Sequence, residues 1–132
     1  MIPKVVHYCW FGRNPLPASA IKCIESWKKY LPDYEIVEWN EDSVDVRSIP
    51  YIAEAYDAGK YAFVSDYVRF KVLYDQGGVY FDTDVEVIAP IDDILEKGPY
   101  MGMERTLSGE VAVAPGLGFA AVPGMAVLSE LL

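Results

Sequence analysis

The sequence has no long apolar run and little histidine or cysteine. No stretch of about 18 apolar residues occurs, so the pattern predicts no membrane-spanning helix. A strand-like segment starts within three residues of Met1, which leaves no room for a signal sequence. One histidine, His7, and two cysteines, Cys9 and Cys23, are too few for a histidine-rich metal site or a disulfide framework. We therefore expect a cytoplasmic protein with reduced cysteines, and peripheral contact with the inner face of a membrane is compatible with that location.

Basic residues are also scarce. The chain has 11 Lys and Arg residues against 20 Asp and Glu residues, which gives a formal net charge of −9. Lys28-Lys29 is the only adjacent basic pair, so the sequence lacks the positive patch that DNA or RNA binding requires. An acidic protein can still bind a phosphorylated small molecule when a divalent cation lies between its carboxylates and the phosphate oxygens.

Strand-like and helix-like segments alternate along the chain. This alternation predicts an α/β domain, residues 1–132, with a mainly parallel sheet flanked by helices. The helical pattern that starts at Gly124 is still apolar at Leu132 and has no cap, so we expect a C-terminally truncated fold. The predicted strands are Lys4–Trp10, Tyr34–Trp39, Val79–Phe81, Tyr100–Met103 and Glu110–Val113, and Val85–Ala89 is expected to be extended. The predicted helices are Pro17–Tyr30, Ile49–Asp57, Tyr61–Gln76, Ile91–Lys97 and the segment from Gly124.

Asp82-Thr83-Asp84 directly follows a predicted strand. In open α/β sheets, ligands bind beyond the carboxyl ends of the strands. Two carboxylates one residue apart can bind Mn²⁺ or Mg²⁺ and leave coordination sites for phosphate oxygens and water. An Asp-x-Asp motif also arises by chance in a chain this rich in aspartate, so a solvated turn is the alternative interpretation.

The helix before this motif places Asp66 and Arg69 on one face, with Lys71 and Asp75 on the opposite face. Apolar stripes separate the two polar faces, which indicates that one polar face is solvated and the other meets something polar, such as a ligand. The alternative is an ion pair between positions i and i+3 on an exposed face. The helix alone does not decide between them.

Three other features of the sequence concern possible site residues. Trp10 ends the first strand beside a glycine turn, where it can stack on a nucleobase or pack in the core. His7 lies inside that strand and is interpreted as a core residue. The segment Gly116–Ala121 matches G-x-G-x-x-A, but the chain ends before an acidic ribose partner, so we predict no dinucleotide site.

Taken together, these motifs resemble one enzyme family. They are Trp10-Phe11-Gly12, Ser65-Asp66-x-x-Arg69 and Gly77-Gly78-x-Tyr80-x-Asp82-x-Asp84. In this order they are similar to the glycosyltransferase family whose sugar-binding region contains the DXD motif. That family includes bacterial capsule and lipopolysaccharide glycosyltransferases and fungal Golgi mannosyltransferases, and the large clostridial glucosylating toxins share the spacing. The resemblance runs from residue 3 to about residue 95.

The resemblance implies a GT-A fold, which is a Rossmann-like nucleotide-diphospho-sugar transferase domain. It also implies Mn²⁺ or Mg²⁺ as cofactor and a UDP- or GDP-hexose as donor. By position, Asp84 would ligate the metal directly, and Asp82 would reach the ribose and the metal's water, so that both aspartates belong to the metal site. Trp10 would stack on the base. Family members generally retain the anomeric configuration of the sugar.

The same resemblance assigns Asp66 and Arg69 to the donor sugar and its adjacent phosphate, and Tyr80 to the wall of that pocket. The implied function is transfer of a hexose to a glycan or lipid-linked acceptor, in surface-polysaccharide biosynthesis. No catalytic residue is assigned. Two alternatives remain: a non-catalytic module that binds a nucleotide sugar, and a carboxylate-rich structural domain that binds Ca²⁺.

Overall fold

The computed structural model describes residues 2–91, 95, 100–101, 103–105, 111–113, 119–121 and 123–124. Within these residues, no helix is both long and apolar enough to cross a membrane. The helices and strands follow in the order β1 (Val5–Cys9), α1 (Ala18–Tyr30), β2 (Glu35–Trp39), α2 (Pro50–Asp57), α3 (Tyr61–Gln76), β3 (Gly78–Tyr80), β4 (Tyr100–Met101), β5 (Met103–Arg105), β6 (Val111–Val113) and β7 (Phe119–Ala121).

The central sheet has the strand order β2-β1-β3-β7-β4. Strand β1 pairs in parallel with both β2 and β3, whereas β7 is antiparallel to β3 and to β4. Four of the five strands therefore run in the same direction, which confirms the predicted α/β class with a mainly parallel sheet. Strands β5 and β6 form a separate antiparallel pair.

Alternate residues of β1 face opposite sides of the sheet, as the two-residue repeat of a strand requires. Val6 and Tyr8 pack in a cluster with Trp27 of α1. Cys9 packs on the other side, in a cluster with α2 and α3. The sheet is thus covered by α1 on one face and by α2 and α3 on the other.

Two consecutive glycines connect α3 to β3. Gly77 ends the helix with φ 69°, and its N–H donates to the Leu73 carbonyl at 2.8 Å. Gly78 follows with φ 112°, and a Cβ at that position would lie 2.7 Å from the carbonyl oxygen of Val5. Only glycine allows this backbone to turn and approach β1 so closely. The pair therefore sets β3 directly against β1.

The structure also differs from the sequence-based expectations. The strand predicted at Val79–Phe81 begins and ends one residue earlier, because Gly78 already pairs with Ala121 of β7. Strand β7, which lies where the sequence matched a dinucleotide motif, was not predicted. The segment from Val85 to Ala89 joins no strand.

Instead, this segment lies on α1. The Trp27 indole N–H donates to the Val85 carbonyl at 2.7 Å, and the Val87 N–H donates to Ser26 Oγ at 2.9 Å. Parts of two predicted helices lie outside the described residues. They are residues 92–94 and 96–97 of the helix predicted at Ile91–Lys97, and residues 125–132 of the helix predicted from Gly124. The predicted strands at Tyr100–Met103 and Glu110–Val113 correspond to β4, the first residue of β5, and β6.

Candidate functional site

A cleft of about 420 Å³ opens at the carboxyl ends of β1 and β3, under the first half of α3. These two strands are parallel neighbours, with His7 beside Tyr80, so the residues that follow each strand reach the same edge of the sheet. The cleft is lined by Cys9, Trp10, Phe11, Asn14, Tyr61, Ala62, Ser65, Arg69, Tyr80, Asp82, Thr83 and Asp84.

Asp82 connects the polar side chains of this cleft. Its Oδ1 accepts a hydrogen bond from the Tyr80 hydroxyl at 2.9 Å and lies 3.4 Å from Arg69 Nη2. The Arg69 guanidinium also lies 4.8 Å from the centre of the Tyr80 ring. The hydrogen bond from Tyr80 and the ion pair with Arg69 use the same oxygen, Oδ1. Asp82 is therefore oriented by Tyr80 of β3 and by Arg69 of α3 at the same time.

Arg69 is held from its own helix as well. Nη2 lies 3.0 Å from Asp66 Oδ1, and Nε donates to the Ser65 carbonyl at 3.4 Å. The Arg69 side chain is only 10% exposed, whereas the Asp66 side chain is 55% exposed. The i, i+3 ion pair of the alternative interpretation is therefore present, but its exposed face is not found for Arg69, whose guanidinium lines the cleft.

Burial changes the acid–base properties of several groups here. It raises the pKa of Asp82, while the Arg69 charge and the Tyr80 hydroxyl act in the opposite direction. Burial also raises the pKa of Tyr80, and it raises that of Cys9 to about 12. Both shifts favour the protonated phenol and the protonated thiol, which are the less nucleophilic forms.

The Asp82-Thr83-Asp84 segment forms a turn, in which the Val85 N–H donates to the Asp82 carbonyl at 3.1 Å. Asp82 is half-buried and Asp84 is exposed. Within the part of the chain that the structure describes, no three His, Cys, Asp or Glu side chains are grouped closely enough to hold a metal ion by themselves. A cation at this turn would therefore need further oxygen ligands from a substrate or from water.

On the opposite wall, Trp10 is half-buried, and its indole N–H donates to the Asn14 carbonyl at 2.7 Å. Of the residues selected from the sequence, the structure brings Trp10, Arg69, Tyr80 and the two aspartates of the DXD motif to one cleft. Asp66 does not line the cleft and contacts it through Arg69. His7 lies fully buried in the core, as predicted.

Several residues that line the cleft were assigned no role from the sequence, although Ser65 belongs to one of the quoted motifs. Tyr61 and Ser65 stand eight and four residues before Arg69, so one helical face carries all three, and that spacing was a usable signal. Cys9 and Asn14 had no comparable signal. They line the cleft because α3 packs across the end of β1, which is a long-range contact.

Comparison with known proteins agrees with this geometry. The family described as "Glycosyltransferase sugar-binding region containing DXD motif" matches residues 17–100. The chain is 33% identical over 98 residues to inositol phosphoceramide mannosyltransferase 3 of Schizosaccharomyces pombe. The match covers 71% of this chain and 27% of that protein. It is 24% identical over 119 residues to the initiation-specific alpha-1,6-mannosyltransferase of Candida albicans. That match covers 83% of this chain and 31% of the Candida protein.

A solved structure gives the same fold. The PaToxG glycosyltransferase superposes with a TM-score of 0.69 at 21% identity, over 97% of this chain and 58% of that one. The likeness supports the GT-A architecture that the family resemblance implied. The chain spans about a quarter to a third of the length of the two mannosyltransferases. On the match over residues 17–100, this chain belongs to the family of glycosyltransferases with a DXD-containing sugar-binding region.

Proposed function

We propose that this chain forms the donor-binding part of a metal-dependent glycosyltransferase, which moves a hexose from a UDP- or GDP-hexose to a glycan or lipid-linked acceptor. One observation carries the proposal. The buried Arg69 and the half-buried Asp82 contact each other at the end of β3, and the exposed Asp84 lies two residues further on. A fixed cation beside two carboxylates suits a ligand that brings both phosphate oxygens and a divalent metal.

The chemistry of the reaction explains this combination of charges. Transfer breaks the bond between the anomeric carbon and the diphosphate, and negative charge develops on the leaving diphosphate. Arg69 would stabilise that charge, and because Asp66 and the Ser65 carbonyl already hold the guanidinium, little reorganisation is needed during the reaction. Mn²⁺ or Mg²⁺, when bound, would supply Lewis-acid stabilisation of the same oxygens.

The residues present fit such a metal. Asp82 and Asp84 offer the hard carboxylate oxygens that Mn²⁺ and Mg²⁺ prefer, and both line the cleft. Two protein ligands leave room for diphosphate oxygens and water. Trp10 on the opposite wall would stack on the nucleobase, and Tyr80 would line the sugar pocket and hold Asp82 in place.

We extend the proposal to the nature of the reaction. The names of the curated relatives make mannose the first hexose to test. Retention of anomeric configuration and a role in surface-polysaccharide assembly rest on the family resemblance, and a cytoplasmic location rests on the sequence composition alone. Proton NMR of the first-formed product would show an unchanged anomeric configuration if the reaction is retaining and an inverted one if it is not.

Calorimetric titration tests the donor site directly. We would titrate UDP, GDP, UDP-glucose, UDP-galactose and GDP-mannose into the protein with and without Mn²⁺. Asp84→Asn should abolish Mn²⁺-dependent binding and donor hydrolysis, whereas Asp75→Asn is the matched control. Asp75 lies on α3, where its side chain pairs with Lys71 and is 47% exposed. It does not line the cleft.

The outcomes separate the proposal from its alternatives. Full metal-dependent activity in Asp84→Asn would contradict the assignment of the metal ligand. Tight donor binding without hydrolysis or transfer to any acceptor would favour the non-catalytic binding module. Binding of Ca²⁺ without any nucleotide requirement would favour a structural calcium domain.

A further inference from the structure

The wall of the cleft that carries Trp10 is a short turn, residues 10–14, between β1 and α1. Its backbone is unusual, because Gly12 has φ 103° and Arg13 has φ 63°. Both residues lie in the left-handed region, which a non-glycine residue such as Arg13 rarely adopts. Such a turn keeps its shape only when the surrounding structure holds it.

One side chain outside the cleft holds the middle of this turn. The Gly12 N–H donates to Glu41 Oε2 at 2.5 Å, and the Tyr56 hydroxyl donates to the same oxygen at 2.9 Å. Glu41 is half-buried, and the hydrogen bonds it accepts lower its pKa against the effect of burial. A hydrogen bond from a backbone N–H to a carboxylate is among the stronger hydrogen bonds in proteins.

The segment that presents Glu41 is itself fixed. Asn40 directly follows β2 and forms a side-chain turn, in which the Asp42 N–H donates to Asn40 Oδ1 at 2.9 Å and the Val44 N–H donates to the Asn40 carbonyl at 3.0 Å. Glu41 therefore reaches the turn from a rigid support rather than from a flexible loop. Tyr56 adds a second support from α2.

A second link joins the same two segments. Arg13 Nη1 lies 2.8 Å from Asp42 Oδ1, but the two side chains are 59% and 73% exposed. Exposed ion pairs of this kind contribute little, because water and salt screen them. Beyond the backbone hydrogen bond from Trp10 to Trp39, the turn is thus connected to the segment after β2 by one sheltered hydrogen bond and by one exposed ion pair.

Trp10 depends on the shape of this turn. Its backbone N–H donates to the Trp39 carbonyl at 2.9 Å, and its indole N–H donates to the Asn14 carbonyl at 2.7 Å. The indole is thus hydrogen-bonded across the turn whose centre Glu41 holds. A change of conformation at Gly12 would move the Asn14 carbonyl and with it the plane of the indole.

We propose that Glu41 is a positioning residue for the nucleotide: by accepting the Gly12 N–H it fixes the turn that orients Trp10 in the cleft. This inference rests on the proposed function. Loss of the contact should weaken nucleotide binding without changing the rate at saturating donor, because Arg69, Asp82 and Asp84, which would hold the diphosphate and the metal, do not contact Glu41 or the turn at Gly12. One oxygen accepts both hydrogen bonds, so the amide oxygen of glutamine can replace it.

The test compares three variants. Calorimetric titration of UDP and of GDP in the presence of Mn²⁺ should show an affinity about tenfold weaker for Glu41→Ala, and Glu41→Gln should remain within about twofold of the wild type. Asp42→Asn, which removes the exposed ion pair beside it, is the control and should change the affinity by less than about twofold. In steady-state assays, KM for the donor should rise in Glu41→Ala while kcat stays unchanged.

A measurement without nucleotide separates this inference from the proposed function. Amide hydrogen exchange of Gly12 should be slow in the wild type, in Glu41→Gln and in Asp42→Asn. It should be fast in Glu41→Ala. If Glu41→Ala does not fold, Tyr56→Phe removes one of the two donors and should leave Gly12 exchange slow. Fast exchange of Gly12 in the wild type, or an Asp42→Asn variant that loses as much affinity as Glu41→Ala, would overturn the proposal. Absence of nucleotide binding in the wild type, together with slow exchange of Gly12, would refute the proposed function and leave only the contact between Glu41 and the turn.

Discussion

The single histidine gives this chain a folding stability that should depend on pH in a defined way. His7 is fully buried, accepts a hydrogen bond from the Trp39 indole N–H on Nδ1 at 3.1 Å, and has Nε2 2.9 Å from the Gly77 carbonyl. Because Nδ1 accepts, the proton of the neutral ring is on Nε2, which donates to that carbonyl. A second proton on Nδ1 would face the Trp39 indole N–H, which is itself a donor, so the protonated ring would lose this hydrogen bond. Burial lowers the pKa of His7 below its ordinary 6.5.

The sign and size follow from proton linkage. Below pH 6.5 the unfolded chain protonates its histidine more readily than the folded chain, so stability is lost as the pH falls from 6.5 through the lowered pKa. Between pH 7.5 and pH 5.5 this loss is at most about 1.4 kcal/mol, which is the limit for a ring that stays neutral in the folded chain. The raised pKa of Asp82 acts in the opposite direction, because an aspartate that protonates more readily when folded adds stability as the pH falls.

Urea denaturation at pH 7.5, 6.5 and 5.5 measures this loss, and His7→Gln is the comparison because it removes the titrating ring. The difference between the two profiles isolates His7 from the carboxylates. The wild-type imidazole can also be titrated directly by NMR, because the chain has only one. A ring that titrates at or above pH 6.5 in the folded protein, or equal profiles for the two proteins, would refute the reasoning.

Three further predictions follow from local geometry. Gly78→Ala should destabilise the fold by about 3 kcal/mol in urea denaturation, because φ is positive and the new Cβ would meet the Val5 carbonyl; a loss below about 1 kcal/mol would contradict this. Arg69→Met should lower kcat/KM about a hundredfold while the protein stays folded by circular dichroism, and Arg69→Lys should restore only part of the activity. Thiol titration at neutral pH should modify Cys23, which is half-buried, and spare Cys9, whose pKa is near 12, until the protein is unfolded.

Much of the fold was predictable from local signals. Helix α3 was predicted at its observed bounds because an apolar repeat fills it and Gly77 ends it. Strand β7 was not predicted, because it has only three residues and exists through pairing with β3, some forty residues earlier in the chain. The Val85–Ala89 segment has a strand-like composition, yet α1 supplies its hydrogen-bond partners through side chains. A sequence pattern does not specify such partners.

The candidate site was predictable to a similar degree. Motif spacing selected Trp10, Tyr80 and Asp82, which the structure brings to one cleft. The helical repeat of α3 showed that Arg69 and Asp66 share a face, but not whether that face is covered. Whether Arg69 is buried depends on how α3 packs across β1 and β3, and those contacts join residues far apart in the sequence.

The core and the cleft depend on the same close approach between two strands. Gly78 allows β3 to lie against Val5 of β1, and His7 connects β1 to the turn at Gly77. Because β1 and β3 run in parallel, this contact at their amino-terminal ends helps to set the distance between the residues that leave their carboxyl ends. Trp10 leaves β1 and Asp82 follows β3, so any change that separates these strands should widen the cleft before it unfolds the domain. Gly78→Ala should therefore weaken nucleotide binding even at temperatures where the protein remains folded.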